Sequence, residues 1–149
     1  MLHSGGREAV TPDYASLYAE AIAAGRRRDY RHAADLFARV AGATDRFPLA
    51  LLYLGRSRHA LGEHGPAVRA LSAFVRQRPA SAAGRMFLGR AHLAVGDAEA
   101  AVRELAEAVR IRPDLAPAQG LLGLACLRAR RFDEALAAFA AARRLAPDD

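Results

Sequence analysis

Apolar residues in this chain recur three and four positions apart in runs of helical length, and no stretch alternates apolar and polar with a period of two. The pattern predicts paired helices over 13–24 and 30–43, 48–61 and 66–78, 81–95 and 98–112, and 115–129 and 132–145. Breaks fall at Gly25-Arg26-Arg27-Arg28-Asp29, at Gly62-Glu63-His64-Gly65 and at Gly96-Asp97. Pro79, Pro113 and Pro147 each stop a helix, because proline lacks the amide donor and clashes with the preceding turn. Thr11-Pro12-Asp13 reads as a helix start, with a capping hydroxyl, a proline in the first turn and an acid near the positive end of the dipole. Asp97 stands where it can cap the helix that follows, and Asp133 and Glu134 fall in the first turn of the last helix.

The pairs repeat. Shifted by 34 residues, the chain places Ala33, Ala67, Ala101 and Ala135 in register. Gly55, Gly89 and Gly123 also align, each after a leucine, as do Pro79, Pro113 and Pro147. Phe37, Leu71, Leu105 and Phe139 follow the register alanines by four positions. A fixed period of this length denotes stacked units, since one helix pair cannot bury its own apolar face. Glycine inside a helix costs about 1 kcal/mol against alanine. Three such glycines at one register imply close helix approach, with Ala67, Ala101 and Ala135 expected opposite them.

Composition narrows the picture. The chain has 149 residues, 52% of them hydrophobic, and 37 are alanine, the best helix former. Small side chains favour thin, closely packed helical layers. All 22 basic residues are arginine, and the net charge is +6. An Ala-, Arg- and Gly-rich composition without lysine or asparagine is that of GC-rich, bacterial coding. Arginine also suits bidentate recognition of carboxylate or phosphate. No run of like charge exceeds Arg26 to Arg28, so there is no basic tail. The opening residues lack the basic and apolar regions of a signal peptide, and no run of eighteen apolar residues exists, so cytoplasm is the expected compartment.

The landmark residues resemble the tetratricopeptide repeat: Leu54-Gly55, Leu88-Gly89 and Leu122-Gly123, then Ala67/Leu71, Ala101/Leu105 and Ala135/Phe139, then the closing prolines. The match is strong over 48–147. In the unit 14–47, Ala21 and Asp45 replace the glycine and proline, marking a degenerate first repeat. Leu17, Leu51, Arg85 and Gln119 stand at the family's tryptophan position. The resemblance implies an all-α, right-handed superhelix of about four helix pairs over 13–147, with units 14–47, 48–81, 82–115 and 116–149, after a flexible lead-in over 1–12. It further implies a non-enzymatic protein-interaction scaffold whose first helices line a concave groove.

With those helices facing inward, the expected groove carries Tyr18, Leu52 and Met86, then Ile22, Arg56, Arg90 and Leu124, then His59 and Leu93, with Arg128 near one end. An apolar floor with central arginines suits a peptide bearing hydrophobic anchors and a carboxylate. The family's lysine-and-asparagine clamp for a C-terminal carboxylate has no counterpart in a chain without either residue. Other readings remain open. One is a self-assembling scaffold, because no polar cap follows the last repeat and a second copy could cover that end. The chain could also be a fragment of a larger protein. A chaperone of the bacterial class II type III secretion kind is similar only in general design. Arginine-mediated nucleic-acid binding is opposed by interspersed acids and sparse aromatics.

No catalytic, metal or cofactor site is expected. Cys126 is the only cysteine and lies in an apolar run. His3, His32, His59, His64 and His92 are scattered without a four-residue pairing, and there is no phosphate loop or nucleophile motif.

Overall fold

A computed structural model describes residues 10–148. Residues 1–9, most of the expected lead-in, lie outside them. Eight helices and no strand occur among the described residues: α1 Tyr14–Arg26, α2 Tyr30–Ala43, α3 Ala50–Ala60, α4 His64–Gln77, α5 Ala82–Ala94, α6 Ala98–Ile111, α7 Ala116–Arg128 and α8 Phe132–Leu145. Each odd-numbered helix packs on its successor, and each pair packs on the next through α2 on α3, α4 on α5 and α6 on α7. In addition α5 touches both α3 and α7, whereas the second helices of successive pairs do not meet comparably. The first helices therefore form the inner, closer-spaced layer of a curved stack, and the second helices form the outer layer.

The boundaries depart from the sequence expectation by one or two residues at several helix ends, and α3 begins at Ala50 rather than at 48. Asp13, not Thr11, caps α1: its side chain accepts from the Ala15 and Ser16 amides. Pro12 thus lies outside the helix. α1 runs through Gly25 to Arg26, and α4 begins at His64, two residues before Pro66. Both shifts have one cause. Arg28, Gly62, Gly96 and Arg130, one per pair at the 34-residue spacing, all have positive φ. The next amide in each case reaches back over the turn: Asp29 to the Ala24 carbonyl, Glu63 to Arg58, Asp97 to His92 and Arg131 to Cys126. This left-handed closure satisfies carbonyls that a helix end leaves free. It sets where each first helix stops, whatever glycines precede it. Asp97 caps α6 as expected, accepting from the Ala100 amide.

The glycines do mark close approach, and the atoms nearest to each belong to the large residue four places after the register alanine. A methyl at Gly89 would lie 2.5 Å from Leu105 Cγ, and one at Gly123 would lie 2.7 Å from the Phe139 ring. At Gly55 it would collide with Leu71. The large residue four places after the register alanine fills the glycine notch. The alanines Ala67, Ala101 and Ala135 are buried close by, in the clusters that hold Leu71 and Leu105. A long side chain lodged against bare backbone buries more apolar area than an alanine could.

Three core clusters run along the stack. The first joins α1 and α2 to α3, around Ala33, Leu36, Phe37 and Leu54. The second holds Leu52, Leu71, Phe74 and Leu88, and the third holds Leu93, Val102, Leu105 and Cys126. No helix among the described residues is long and apolar enough to cross a membrane.

Candidate functional site

A cleft of about 570 Å³ opens on the inner layer. α1 contributes Ile22 and Arg26, α2 contributes Tyr30 and Phe37, α3 contributes Tyr53, Arg56, Ser57 and His59, and α5 contributes Arg90. Of the residues expected in the groove, Ile22, Arg56, His59 and Arg90 meet here. Tyr18 lies beside them, stacked on Phe47 at 4.8 Å and edge-on to Phe37 at 5.9 Å. Met86 and Leu124 pack against the third cluster. Arg128 donates to the Leu93 carbonyl at 3.3 Å.

Leu52 and Leu93 do not present a groove surface. They are buried, at 7% and 5% exposure. The reason is the approach of the first helices. Leu52 on α3 packs in the cluster that holds Leu88 and Ala91 of α5, and Leu93 on α5 packs in the cluster that holds Ala125 and Cys126 of α7. These leucines hold the inner helices together beneath the groove.

Two aromatic residues that the sequence reading left out of the groove organise it. Phe87 lies between the arginines, its ring centre 4.5 Å from the Arg56 guanidinium carbon and 5.0 Å from that of Arg90. The Tyr53 ring centre lies 5.9 Å from the Arg56 guanidinium carbon, and the ring packs on Phe37 at 5.5 Å. Tyr18, Phe37, Tyr53, Arg56, Phe87 and Arg90 therefore form one continuous series across three helix pairs, ring on ring from Tyr18 to Tyr53 and then ring and guanidinium in alternation. The signal was present in the sequence as YLGR, Tyr53 to Arg56, and FLGR, Phe87 to Arg90. Residues three apart share a helix face, so each aromatic lies under its own arginine.

Charge in the cleft is uncompensated. Among the described residues Arg26, Arg56 and Arg90 make no salt bridge, whereas Arg31 pairs with Glu63 at 2.7 Å and Arg85 with Glu104 at 2.9 Å. The Nε of Arg90 is buried and has no hydrogen-bond partner. Burial, and secondarily Arg56, hold the Arg90 guanidinium below its ordinary range. Burial, then Arg90, then His64 push His59 below its ordinary value, so its imidazole is neutral at neutral pH. The His59 and His64 rings face each other with Nδ1 atoms 3.2 Å apart. The cleft lining holds no carboxylate, and a ligand carboxylate would relieve the Arg56–Arg90 repulsion.

Nothing among the described residues assembles a metal centre of three or more His, Cys, Asp or Glu. Cys126 is buried, and that burial, reinforced by Glu134, raises its thiol pKa, the opposite of an activated nucleophile.

The family model for the tetratricopeptide repeat matches residues 65–116 and 88–149, which together span more than half of the chain. Among solved structures the chain is similar to MamA (41-end) from Desulfovibrio magneticus RS-1, with 24% identity and a TM-score of 0.83 over 89% of this chain and 75% of that one. It is also similar to TTC0263, a thermophilic TPR protein in Thermus thermophilus, with 26% identity and a TM-score of 0.74 over 90% and 75% of the two chains. A third similar structure is MamA AMB-1, with 20% identity and a TM-score of 0.80 over 92% and 75%. Curated protein sequences contain no match.

Proposed function

The chain belongs to the tetratricopeptide repeat family, and we propose that it is a non-enzymatic interaction module that binds a peptide segment of a partner protein in its concave groove. The peptide carries apolar anchors and at least one carboxylate. The carboxylate sits between Arg56 and Arg90, and the anchors lie against Ile22, Tyr30 and Tyr53. The observation that carries this reading is the pair of unneutralised arginines braced on Phe87, one of them with a buried unpartnered Nε. Fixing two guanidinium groups in advance lowers the ordering cost of binding, and planar guanidinium groups favour a two-pronged carboxylate contact.

The test is peptide display against the purified chain, with Arg56→Gln/Arg90→Gln selected in parallel. Wild type should enrich peptides that combine Asp or Glu with large apolar residues. Their affinity should fall with added salt and drop about tenfold or more in the double variant, the effect expected when a charge-assisted hydrogen bond is lost. Enrichment of peptides without acids, or equal binding by the double variant, would refute this reading.

A further inference from the structure

α8, the last helix among the described residues, carries an apolar face. Phe132, Leu136 and Phe139 are exposed by 53%, 69% and 40%. Their spacing of four and three places them on one stripe of the helix. The same stripe one repeat earlier is closed: Val102 and Leu105 on α6 are 5% and 0% exposed, since α7 covers them. α8 keeps these positions apolar. It enlarges them, with Leu136 for Val102, Phe139 for Leu105 and Phe132 for Ala98. Beside the stripe lies a cleft of about 490 Å³, bordered by Pro117, Phe139, Ala142 and Arg143.

Two features point to what covers the face. The charges on α8 are segregated, with Asp133 and Glu134 in its first turn and Arg143 and Arg144 in its last. An antiparallel copy of the same helix brings Asp133, which flanks the stripe, toward the arginines at both ends. A two-fold axis between Leu136 and Phe139 places those residues opposite each other. It also sets Phe132 of the second copy at Arg143, the edge of the cleft. On α1, at the other end of the described residues, Glu20 pairs with Arg27 at 3.2 Å and contacts His32 at 3.4 Å. Head-to-tail addition would press the apolar stripe onto those ions and leave them desolvated.

We infer that the chain forms a closed two-fold dimer through α8, tail to tail. One helix from each copy makes a small interface, so the dimer exchanges with monomer. It uses none of the residues of the peptide groove, so each dimer presents two grooves.

Sedimentation velocity of the full chain, from low to several hundred micromolar, tests this. The apparent mass should double with concentration and go no higher. Leu136→Glu, at the most exposed position of the stripe, should weaken association about tenfold or more with unchanged helical circular dichroism. Two charge variants, D133R/E134R and R143E/R144E, should each associate weakly alone and recover the dimer when mixed, because only the mixture opposes unlike charges. Wild type that stays monomeric, assemblies larger than a dimer, or a mixture no tighter than its components would overturn the inference.

Discussion

The guanidinium carbon of Arg56 lies 4.5 Å from the centre of the Phe87 ring, across the junction between the second and third helix pairs. The contact is structural, since it ties α3 to α5 beside the cleft. Replacing Phe87 by Leu keeps an apolar side chain but removes the ring from under both arginines. The expected loss is about 1–2 kcal/mol for two cation–π contacts. Urea denaturation of Arg56→Gln, Phe87→Leu and the double variant should show the two changes to be non-additive. Strict additivity would mean that the ring and the guanidinium do not interact in solution.

Gly89 and Gly42 should respond oppositely to alanine. Both are helical, so each gains about 1 kcal/mol of helix propensity. At Gly42 nothing lies within 4 Å of the added methyl, and Gly42→Ala should raise stability by nearly that amount. At Gly89 three Leu105 side-chain atoms lie 2.5–3.0 Å from it, and Leu105 is fully buried with nowhere to move. Overpacking costs about 1–3 kcal/mol, so Gly89→Ala should be net destabilising. Thermal unfolding of the two variants reads the sign directly.

Arg28 and Arg130 adopt φ of 63° and 62° at the turn position that glycine fills in the middle pairs. A side chain in that region costs about 1–2 kcal/mol. Arg28→Gly and Arg130→Gly should each recover about 1 kcal/mol, less the extra freedom that glycine adds to the unfolded chain. Gly62→Ala and Gly96→Ala should lose a similar amount. A lower melting temperature for either arginine variant would mean that its side chain makes a compensating contact.

Stability should fall on mild acidification. His59 and His92 are both held below the ordinary 6.5, burial being the largest cause in each. Above 6.5 both are neutral whether the chain is folded or not, and their contribution is fully present. As pH falls below 6.5 the unfolded chain takes up protons that the folded chain resists, and stability is lost until the depressed folded values are passed. Glu63 and Glu107 are held below the ordinary 4.5, chiefly by hydrogen bonds from Arg31 and Arg110, so their losses come at lower pH. Urea midpoints measured between neutral pH and pH about 5 should decline in the wild type and flatten in His59→Gln/His92→Gln. An unchanged slope in that variant would place the sensitivity elsewhere.

The sequence by itself determined the eight helices, their pairing and the 34-residue register. Each of these follows from local rules: spacing of three and four, prolines that stop helices, and Asp97 capping α6. Such rules act over a single turn and do not depend on what the helix later packs against. It also carried the YLGR and FLGR segments, whose aromatic and arginine share a face by helix geometry alone. Only the tertiary structure decided which of those residues line the cleft. Leu52 and Leu93 lie next in sequence to Tyr53 and near Arg90, yet they are buried because α3, α5 and α7 close on one another. Leu105 rather than Ala101 fills the notch at Gly89 because the separation of the two helices, set by the whole stack, leaves room for a long side chain against bare backbone. The alternation of Arg56, Phe87 and Arg90 likewise needs two helix pairs docked at a fixed offset. Rotation and spacing between helices come from the sum of many side-chain contacts, and no local pattern encodes that sum.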